Sequence, residues 1–215
     1  LWTQFTGRAV VGDLVPTELE RLSTALLSWE EFRAATPDGL VLSPQTFPER
    51  TYGRNPYPGY EGTGDGFLFR GPRDDRLDPN TRVVGLGDDA DAVAVPLPRL
   101  REQQVVTVDV DGAEVTVWWA PGQSSALDAT QVDEGEDVGS TGAFVPVLDD
   151  GTELAFEPAP DAPQQFVDQQ TGTRWNLLGE AVAGPLDGTR LEAVPRDDTF
   201  WFVWFAFRPG TRVAS

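Results

Sequence analysis

The sequence predicts an α+β fold, mainly β, made of two tandem homologous antiparallel-β units that each end in a short helix. Three observations lead to this expectation: a repeated segment, a series of short apolar stretches joined by turn residues, and a helix signal at the end of each repeat. Residues 7–43 return as residues 179–215, each 172 positions later, with thirteen identities in thirty-seven positions. Unrelated sequences share roughly two or three residues over that length, so the repeat indicates an internal duplication.

Aligning the two copies of the repeat predicts that the first unit is incomplete at its N-terminus. Trp2 corresponds to Trp175, on the returning strand of a predicted hairpin whose outgoing strand is Phe166–Asp168. No such strand precedes Leu1 in this sequence, and an unpaired apolar strand edge attracts other strands. Two explanations follow: the upstream half of the hairpin was lost in making this chain, or another segment pairs with the Leu1 strand, which a protein partner or a second copy of the chain could supply. The predicted organisation is one duplicated domain, with unit 1 at about 1–43, a connector at 44–102 and unit 2 at about 103–215.

Unit 1 contains one strong helix signal and three short strand candidates. Ser28 and Glu31 form a capping box, in which the serine hydroxyl accepts from the Glu31 amide and the carboxylate reaches back. The helix is predicted from Trp29 to Ala35, and Thr36–Gly39 ends it because a residue before proline avoids the helical region. The predicted strands are Leu1–Phe5, Glu18–Leu22 and a buried Leu40–Leu42.

Most strands are predicted after the long loop of the connector, which covers residues 44–80 and is rich in Pro, Gly and aromatic residues. Alternating apolar residues and Gly-containing turns predict the strands and hairpins that follow it. They are short strands at Arg82–Leu86 and Ala92–Val95, hairpins at Val105–Trp119, Phe144–Phe156 and Gln165–Leu178, and a strand at Thr189–Val194. One helical turn is expected at Pro96–Arg101.

The second copy of the helix, Phe200–Phe207, is apolar on every side, unlike Trp29–Ala35 in the first copy. A helix that is apolar all round is buried all round, so unit 2 is predicted to be central and unit 1 peripheral. Asp197–Thr199 is expected to cap this helix. The alternative is a helix at an interface or a membrane surface, but Phe200–Phe207 lacks the flanking basic residues that such helices carry.

The charge of the chain argues against one large class of partners. The net charge is −19, from 35 acidic and 16 basic residues, and every basic residue is Arg. Nucleic acid and anionic membrane surfaces repel such a protein, so neither is an expected partner. Dense carboxylates without Lys favour a halophilic source, where salt screens the repulsion. An acidic protein from a GC-rich prokaryote explains the same composition.

The missing residue types exclude more chemistry than any motif supports. The chain has no Cys and no His, which removes disulfides, thiolate nucleophiles, and the commonest metal ligand and general base. Ser124 has no such base to activate it. No catalytic residue, metal site or cofactor is therefore assigned, and no apolar run is long enough to span a bilayer as a helix.

The aromatic loop supplies the candidate binding site. Tyr52, Tyr57 and Tyr60 carry phenols, Arg54 a guanidinium fork, and Asn55 an amide that donates and accepts. Together they suit a pocket for a planar or anionic ligand. The alternative is a stiff connector, in which Pro and Tyr residues hold the chain while Arg54 and Asn55 bond to backbone carbonyls.

Two further features have structural explanations beside functional ones. Trp118 and Trp119 are neighbours on a predicted strand, so one faces the core and the other is either covered or a surface stacking platform. The acidic turns either bind Ca²⁺ or are simply solvated, and none completes a helix-loop-helix calcium loop. They are Asp74–Asp78, Asp88–Asp91 and Asp109–Asp111. No pair of carboxylates stands out for glycoside hydrolysis.

Several motifs together resemble a known bacterial and archaeal family, domain of unknown function 3179. The most specific is Tyr-Gly-Arg-Asn-Pro-Tyr at Tyr52–Tyr57, and the others are Trp2–Gly12, Ser28–Arg33, Ser125–Asp128, Thr171–Asn176 and Phe200–Trp201. The resemblance covers essentially the whole chain. It implies a duplicated β-rich fold and an extracytoplasmic location, at the cell surface, in the periplasm or secreted, often behind a signal peptide or lipoprotein anchor.

Members of that family carry upstream a Cys-Pro-x-Cys motif, in which selenocysteine replaces Cys in some, and this motif implies a redox or metal role. The present sequence lacks the pair, and Arg196 stands where members often place His. Three functional hypotheses follow. They are a non-catalytic extracytoplasmic binding or scaffold module, a redox or metal-dependent enzyme whose Cys site lies in the missing N-terminal half, and a subunit of a surface assembly. The residues present favour the first.

Overall fold

The computed structural model describes residues 1–63, 69–88 and 90–214. Phe67 and Leu68 of the aromatic loop, Asp89 of an acidic turn and Ser215 of the repeat lie outside the described residues. The helices are α1 (Trp29–Ala35), α2 (Leu97–Gln103) and α3 (Trp201–Phe207). The strands are β1 (Arg82–Leu86), β2 (Val93–Pro96), β3 (Val105–Val110), β4 (Ala113–Ala120), β5 (Ser140–Phe144), β6 (Phe156–Pro158), β7 (Gln165–Asp168), β8 (Arg174–Asn176), β9 (Ala181–Ala183), β10 (Arg196–Phe200) and β11 (Arg212–Val213).

The described strands form three sheets, and the predicted class, α+β and mainly β, is confirmed. Sheet A has the order β10-β1-β2-β11, sheet B is β3-β4-β5 and sheet C is β6-β7-β8-β9. Pairing within the sheets is antiparallel except between β11 and β2, which run parallel. Sheets B and C join consecutive strands, whereas sheet A brings the C-terminal β10 and β11 beside β1 and β2.

Sheets A and B share one hydrophobic core. Val84 and Leu86 of β1 pack with Val117 and Trp119 of β4, and Leu100 of α2 closes the same cluster. Successive residues of a strand point to opposite faces, so each strand in the middle of the stack contributes to two cores. The sheets therefore stack in the order A, B, C.

Sheets B and C meet through the other face of β4. The Trp118 ring stacks on Phe166 of β7, with 4.4 Å between the ring centroids. Trp118 and Trp119 are both buried, and their indole N–H groups donate to Thr116 Oγ1 and to the Val138 carbonyl. The adjacent tryptophans thus fill two different cores, and neither is a surface stacking platform.

Helix α3 covers the outer face of sheet A. Trp201 and Trp204 are buried against Val83 and Ala94. The Trp204 ring lies over Gly85, where an added Cβ would approach the ring to 2.3 Å. The other residues of the helix are half-buried or exposed, so the prediction of burial on every side is wrong. One face of α3 is sufficient to dock it on the sheet.

The two copies of the repeat have the same local structure. α1 and α3 begin 172 positions apart, at Trp29 and Trp201, and end 172 positions apart as well. Equivalent residue pairs are also bridged in each copy. These pairs are Trp2 with Ala9 and Arg8 with Glu18 in the first copy, and Trp175 with Ala181 and Glu180 with Arg190 in the second. The local structure thus recurs at the offset of the sequence repeat.

Equivalent residues of the two copies differ in burial. Trp29 is 58% exposed and Trp201 1%, while Leu19 is 57% exposed and Leu191 4%. None of the residues of α1 is buried. Unit 2 is therefore central and unit 1 peripheral, because sheet A covers α3 and no described sheet covers the matching face of α1.

Local sequence signals gave mixed results. The Ser28 capping box forms with both of its hydrogen bonds, and the helix it caps has the predicted bounds. Leu40–Leu42 is wrong as a buried strand, because all three residues are exposed. Asp197–Thr199 lies within β10 rather than capping α3, and Phe200 precedes the helix without a side-chain cap. Isolated bridges replace the strands predicted at Leu1–Phe5, Glu18–Leu22 and Thr189–Val194.

The hairpins predicted in unit 2 are present. Asp111 and Gly112 turn β3 into β4 with positive φ at both residues, and the other two hairpins lie at Val147–Glu153 and between β7 and β8. Among the residues described, no helix combines the length and the apolar character needed to cross a bilayer.

Candidate functional site

The predicted binding loop, Tyr52–Tyr60, lies along residues 128–132. Main-chain hydrogen bonds join the two segments as a short antiparallel contact, with Arg54 bridging Gln131. The loop that begins with the Tyr52–Tyr57 motif therefore meets the segment that begins at the end of the Ser125–Asp128 motif, far along the chain. The bonds run from Asn55 N to Thr130 O at 2.9 Å, from Val132 N to Gly53 O at 2.9 Å and from Gly59 N to Asp128 O at 2.6 Å.

Asn55 is the buried residue of the loop. Its side chain donates from Nδ2 to the Ala129 carbonyl at 3.0 Å and accepts at Oδ1 from the Tyr57 amide at 2.8 Å. Both ends of the amide are thus used within the protein. Asn55 holds the loop on the neighbouring segment, as in the alternative that treats the loop as a stiff connector.

The other four predicted site residues do not converge on one point. Tyr52, Arg54 and Tyr57 have exposed side chains, and the Tyr52 hydroxyl donates to the Phe47 carbonyl at 3.2 Å. Tyr60 is half-buried, and its ring lies 5.7 Å from the Phe200 ring. The loop is thereby anchored at its C-terminal end to the residue that joins β10 to α3.

A cluster of charged and hydroxyl side chains begins where the loop ends. Glu61 follows Tyr60, and its carboxylate accepts from Arg82 Nε at 2.6 Å. The Arg82 guanidinium also donates to Ser125 Oγ at 3.3 Å and lies over the Phe200 ring at 5.2 Å. Glu61 and Arg82 are both mostly shielded from solvent, with exposed side-chain fractions of 18% and 15%.

Strand β10 and strand β5 supply the rest of this cluster. Thr141 Oγ1 donates to Asp198 Oδ2 at 3.0 Å. Arg196 donates from Nε to Thr141 Oγ1 at 3.2 Å, and its Nη2 donates to the Thr141 carbonyl. We name the six residues the charged crevice. They are Glu61, Arg82, Ser125, Thr141, Arg196 and Asp198.

The path of the chain explains why these residues meet. Residues 192–194 pair with β5, through Val145 N to Glu192 O and Val194 N to Ala143 O, both at 2.9 Å. After Pro195 the chain leaves sheet B and pairs with β1 in sheet A. Arg196 and Asp198 are alternate residues just after this change of sheet, so their side chains point to the face of sheet A that meets β5.

Asp198 combines exposure with crowding. The residue is exposed to solvent, yet protein surrounds its carboxylate closely. Burial raises the pKa of the Asp198 carboxyl, while Arg82, the Thr141 hydroxyl and Arg196 oppose that rise. Burial likewise lowers the pKa of the neighbouring Arg196 guanidinium, against the attraction of Asp198.

The crevice is chemically suited to recognition. Asp198 offers an accessible acceptor beside two guanidinium groups, and a charged group with a shifted pKa is a functional-site candidate. The described residues contain no group of three His, Cys, Asp or Glu side chains arranged to hold a metal ion.

Sequence reasoning missed most of this site. Asp198 was assigned to a helix cap, and Glu61, Arg82 and Thr141 carried no motif. The usable signal was at Arg196, the position that departs from the pattern of the resembling family. A second signal is the run of four polar residues, Arg196–Thr199, between two apolar segments, which suits a strand with polar groups on both faces.

The fold and the crevice define a layered, mainly β protein with a mixed-charge site at the junction of two sheets. The chain belongs to the family described as "Protein of unknown function (DUF3179)", whose sequence model matches residues 1–211. No curated protein matches the chain, and neither does any solved structure.

Proposed function

We propose that the chain is a non-catalytic binding module and that its ligand occupies the charged crevice. The observation that carries the proposal is the position of Asp198, which is exposed but fixed by Thr141 between Arg82 and Arg196. Charged groups drawn together under partial burial are costly to a fold. A binding role gives a reason for keeping them.

The charges of the crevice indicate the chemistry of the ligand. Two arginines face two carboxylates, so the site has no net charge. Such a site suits a small polar molecule that is neutral or zwitterionic and carries both donors and acceptors, such as a polyol, a sugar or an amino acid. Phe200, under the Arg82 guanidinium, and Tyr60 add aromatic surface at one side.

The test compares two substitutions on neighbouring residues of β10. Asp198→Asn removes the accessible charge, while Asp197→Asn makes the same change on the opposite face, where Asp197 pairs with Arg21 at 2.5 Å. Isothermal titration with sorbitol, glucose and glycine as probes is expected to give saturable binding of at least one of them. Asp198→Asn should weaken that binding at least tenfold and Asp197→Asn should leave it unchanged. Equal affinities for the two variants would contradict the proposal.

The Tyr52–Tyr60 loop has its own role in this proposal. We place its exposed residues Arg54 and Tyr57 in contact with a bound ligand or partner. Arg54→Ala and Tyr57→Ala should then abolish binding while the melting temperature changes by only a few degrees, because neither side chain is buried. Loss of stability without loss of binding would assign the loop a purely structural role.

The setting we propose is extracytoplasmic and saline. Its support is the net charge of −19 without any Lys, together with the resemblance to a family with extracytoplasmic members. Protease treatment of intact cells tests the location, because an extracytoplasmic protein is degraded while a cytoplasmic marker survives. Unchanged protein under those conditions would contradict it.

A second candidate function, a subunit of a surface assembly, rests on a separate observation. Trp29 and Leu19 are exposed although their counterparts in the second copy are buried. We propose that a second copy of the chain covers them in solution. Sedimentation of the protein should show a concentration-dependent dimer that Trp29→Glu dissociates. A strictly monomeric protein at all concentrations would reject this function and leave the crevice proposal untouched.

A further inference from the structure

A pocket of about 270 Å³ separates α1 from sheet C. Its apolar wall includes Leu27, Leu177 and Leu178, and its polar lining includes Glu31 and Gln165. Among the described residues that line the pocket, Glu31 is the one that ionises. A concave apolar space with a few polar groups at one side is the usual form of a small-molecule site.

The Glu31 carboxylate is only half satisfied. Oε2 accepts from the Ser28 amide at 2.8 Å and from Ser140 Oγ at 3.0 Å. Oε1 is shielded from solvent and has no hydrogen-bond partner among the described residues. An unpaired buried acceptor costs free energy, and a charged one costs more than a neutral one. Because Oε1 has almost no accessible surface, a donor in the pocket reaches it only when the Glu31 side chain turns toward the cavity that it lines.

We propose that this pocket binds a small aliphatic ammonium ion. The ammonium group donates to the Glu31 carboxylate and neutralises its charge, while the hydrocarbon chain packs on the leucines of the wall. A neutral donor such as water or an alcohol satisfies the hydrogen bond but leaves the negative charge buried, so the pocket favours a cation. An anion of the same size is repelled.

The pocket is independent of the charged crevice. Ser140 and Thr141 are consecutive residues of β5, and alternate sides of the strand bond to Glu31 and to Asp198. Glu31 and Asp198 therefore lie on different sides of β5. Failure of one proposal leaves the other standing.

The experiment is a titration with n-butylammonium chloride, with butanoate and butanol as probes of the same chain length. Glu31→Gln removes the charge while Gln still serves at the third position of a capping box. Glu30→Gln is the matched control, since it makes the same change on the neighbouring, exposed residue of α1. Ala34→Leu is a second variant that fills the pocket from the helix and leaves Glu31 in place.

We expect saturable binding of butylammonium by the wild type and by Glu30→Gln. Affinity should fall at least tenfold in Glu31→Gln and in Ala34→Leu, and Asp198→Asn should bind as the wild type does. Butanol and butanoate should bind at least tenfold more weakly than butylammonium. Absence of saturable binding to the wild type, equal binding by Glu31→Gln, or a preference for butanoate would each overturn the proposal.

Discussion

The duplication provides a matched pair of tryptophans with which the packing can be tested. Trp201→Ala removes a ring that is 1% exposed, that donates from Nε1 to the Asp74 carbonyl at 3.2 Å and that lies 5.1 Å from the Arg76 guanidinium. Trp29→Ala removes the same side chain from the equivalent place, where it is 58% exposed, stacks on Phe32 and lies 5.9 Å from the Arg33 guanidinium.

The expected costs differ by several-fold. Replacing a buried aromatic by Ala costs about 3–5 kcal/mol through lost transfer energy and the cavity left behind, so we expect Trp201→Ala to destabilise by that amount. For a chain of this size such a loss lowers the melting temperature by roughly 6 to 20 °C. Trp29→Ala should cost under about 1 kcal/mol, because most of its surface is already in contact with water.

The assay is urea unfolding followed by far-ultraviolet circular dichroism, since removing a tryptophan alters fluorescence directly. It should be run at low and at high protein concentration. Equal losses for the two variants at low concentration would refute the argument that burial, rather than local sequence, sets the cost. A loss for Trp29→Ala that grows with concentration would instead indicate that a second copy covers Trp29.

Three further predictions concern buried or crowded polar groups. The pKa of the Asp198 carboxyl is raised in the folded chain, so the folded state binds a proton there more tightly than the unfolded state does. The resulting stabilisation is fully present below about pH 4, the pKa of an unperturbed Asp. It is lost as the pH rises through the pKa of the folded state. Asp198→Asn, which mimics the protonated form, should therefore melt no lower than the wild type at pH 7, and its advantage should vanish in melting curves taken near pH 3.5. Asp168 is fully buried and accepts hydrogen bonds from Thr171, Thr173 and Trp175. Asp168→Ala leaves several donors unpaired, so it should lower the free energy of unfolding in urea by more than roughly 3 kcal/mol. A loss under about 1 kcal/mol would contradict this reasoning. Asn55→Ala should increase proteolysis within the Tyr52–Tyr60 loop while the rest of the chain resists, because it removes the two bonds that hold the loop.

Local signals predicted local structure well. The Ser28 capping box and the Asp111–Gly112 turn each act over a few residues, and both formed as the sequence indicated. Leu40–Leu42 has the composition of a buried strand, but burial depends on a neighbouring strand that no short pattern can supply. Its counterpart in the second copy includes Val213, which does pair with β2. Val41 and Val213, the same residue at equivalent positions of the repeat, thus had different outcomes because their surroundings differ.

The charged crevice could not be predicted for a related reason. Its six residues come from five separate parts of the chain, and they meet only because residues 192–200 change from sheet B to sheet A. That change depends on the pairing of β10 with β1, which precedes it by more than half the length of the chain. The polar run at Asp197–Thr199 is compatible with a helix cap and with a strand that is polar on both faces, and only the tertiary partner decides between them.

One pair of positions carries more information about the duplication than the count of identities does. Arg8 Nε pairs with Glu18 Oε2 at 3.1 Å in the first copy, and Glu180 pairs with Arg190 in the second. Position 8 corresponds to 180 and position 18 to 190, so the two copies hold the same ion pair with its charges exchanged. A comparison of sequences scores both positions as mismatches. Such an exchange needs two substitutions, and the first of them places like charges opposite each other.

The exchange predicts a measurable coupling. Arg8→Glu alone should destabilise the first copy, because it sets two carboxylates against each other across the bridge. Arg8→Glu combined with Glu18→Arg should recover the wild-type stability, since the pair then has the polarity found at Glu180 and Arg190. Both side chains are nearly half exposed, so the coupling in a double-mutant cycle should be modest, about 0.2–1 kcal/mol, and should shrink in high salt. Strict additivity of the two changes at low salt would mean that the bridges are coincidental and would remove this support for the duplication.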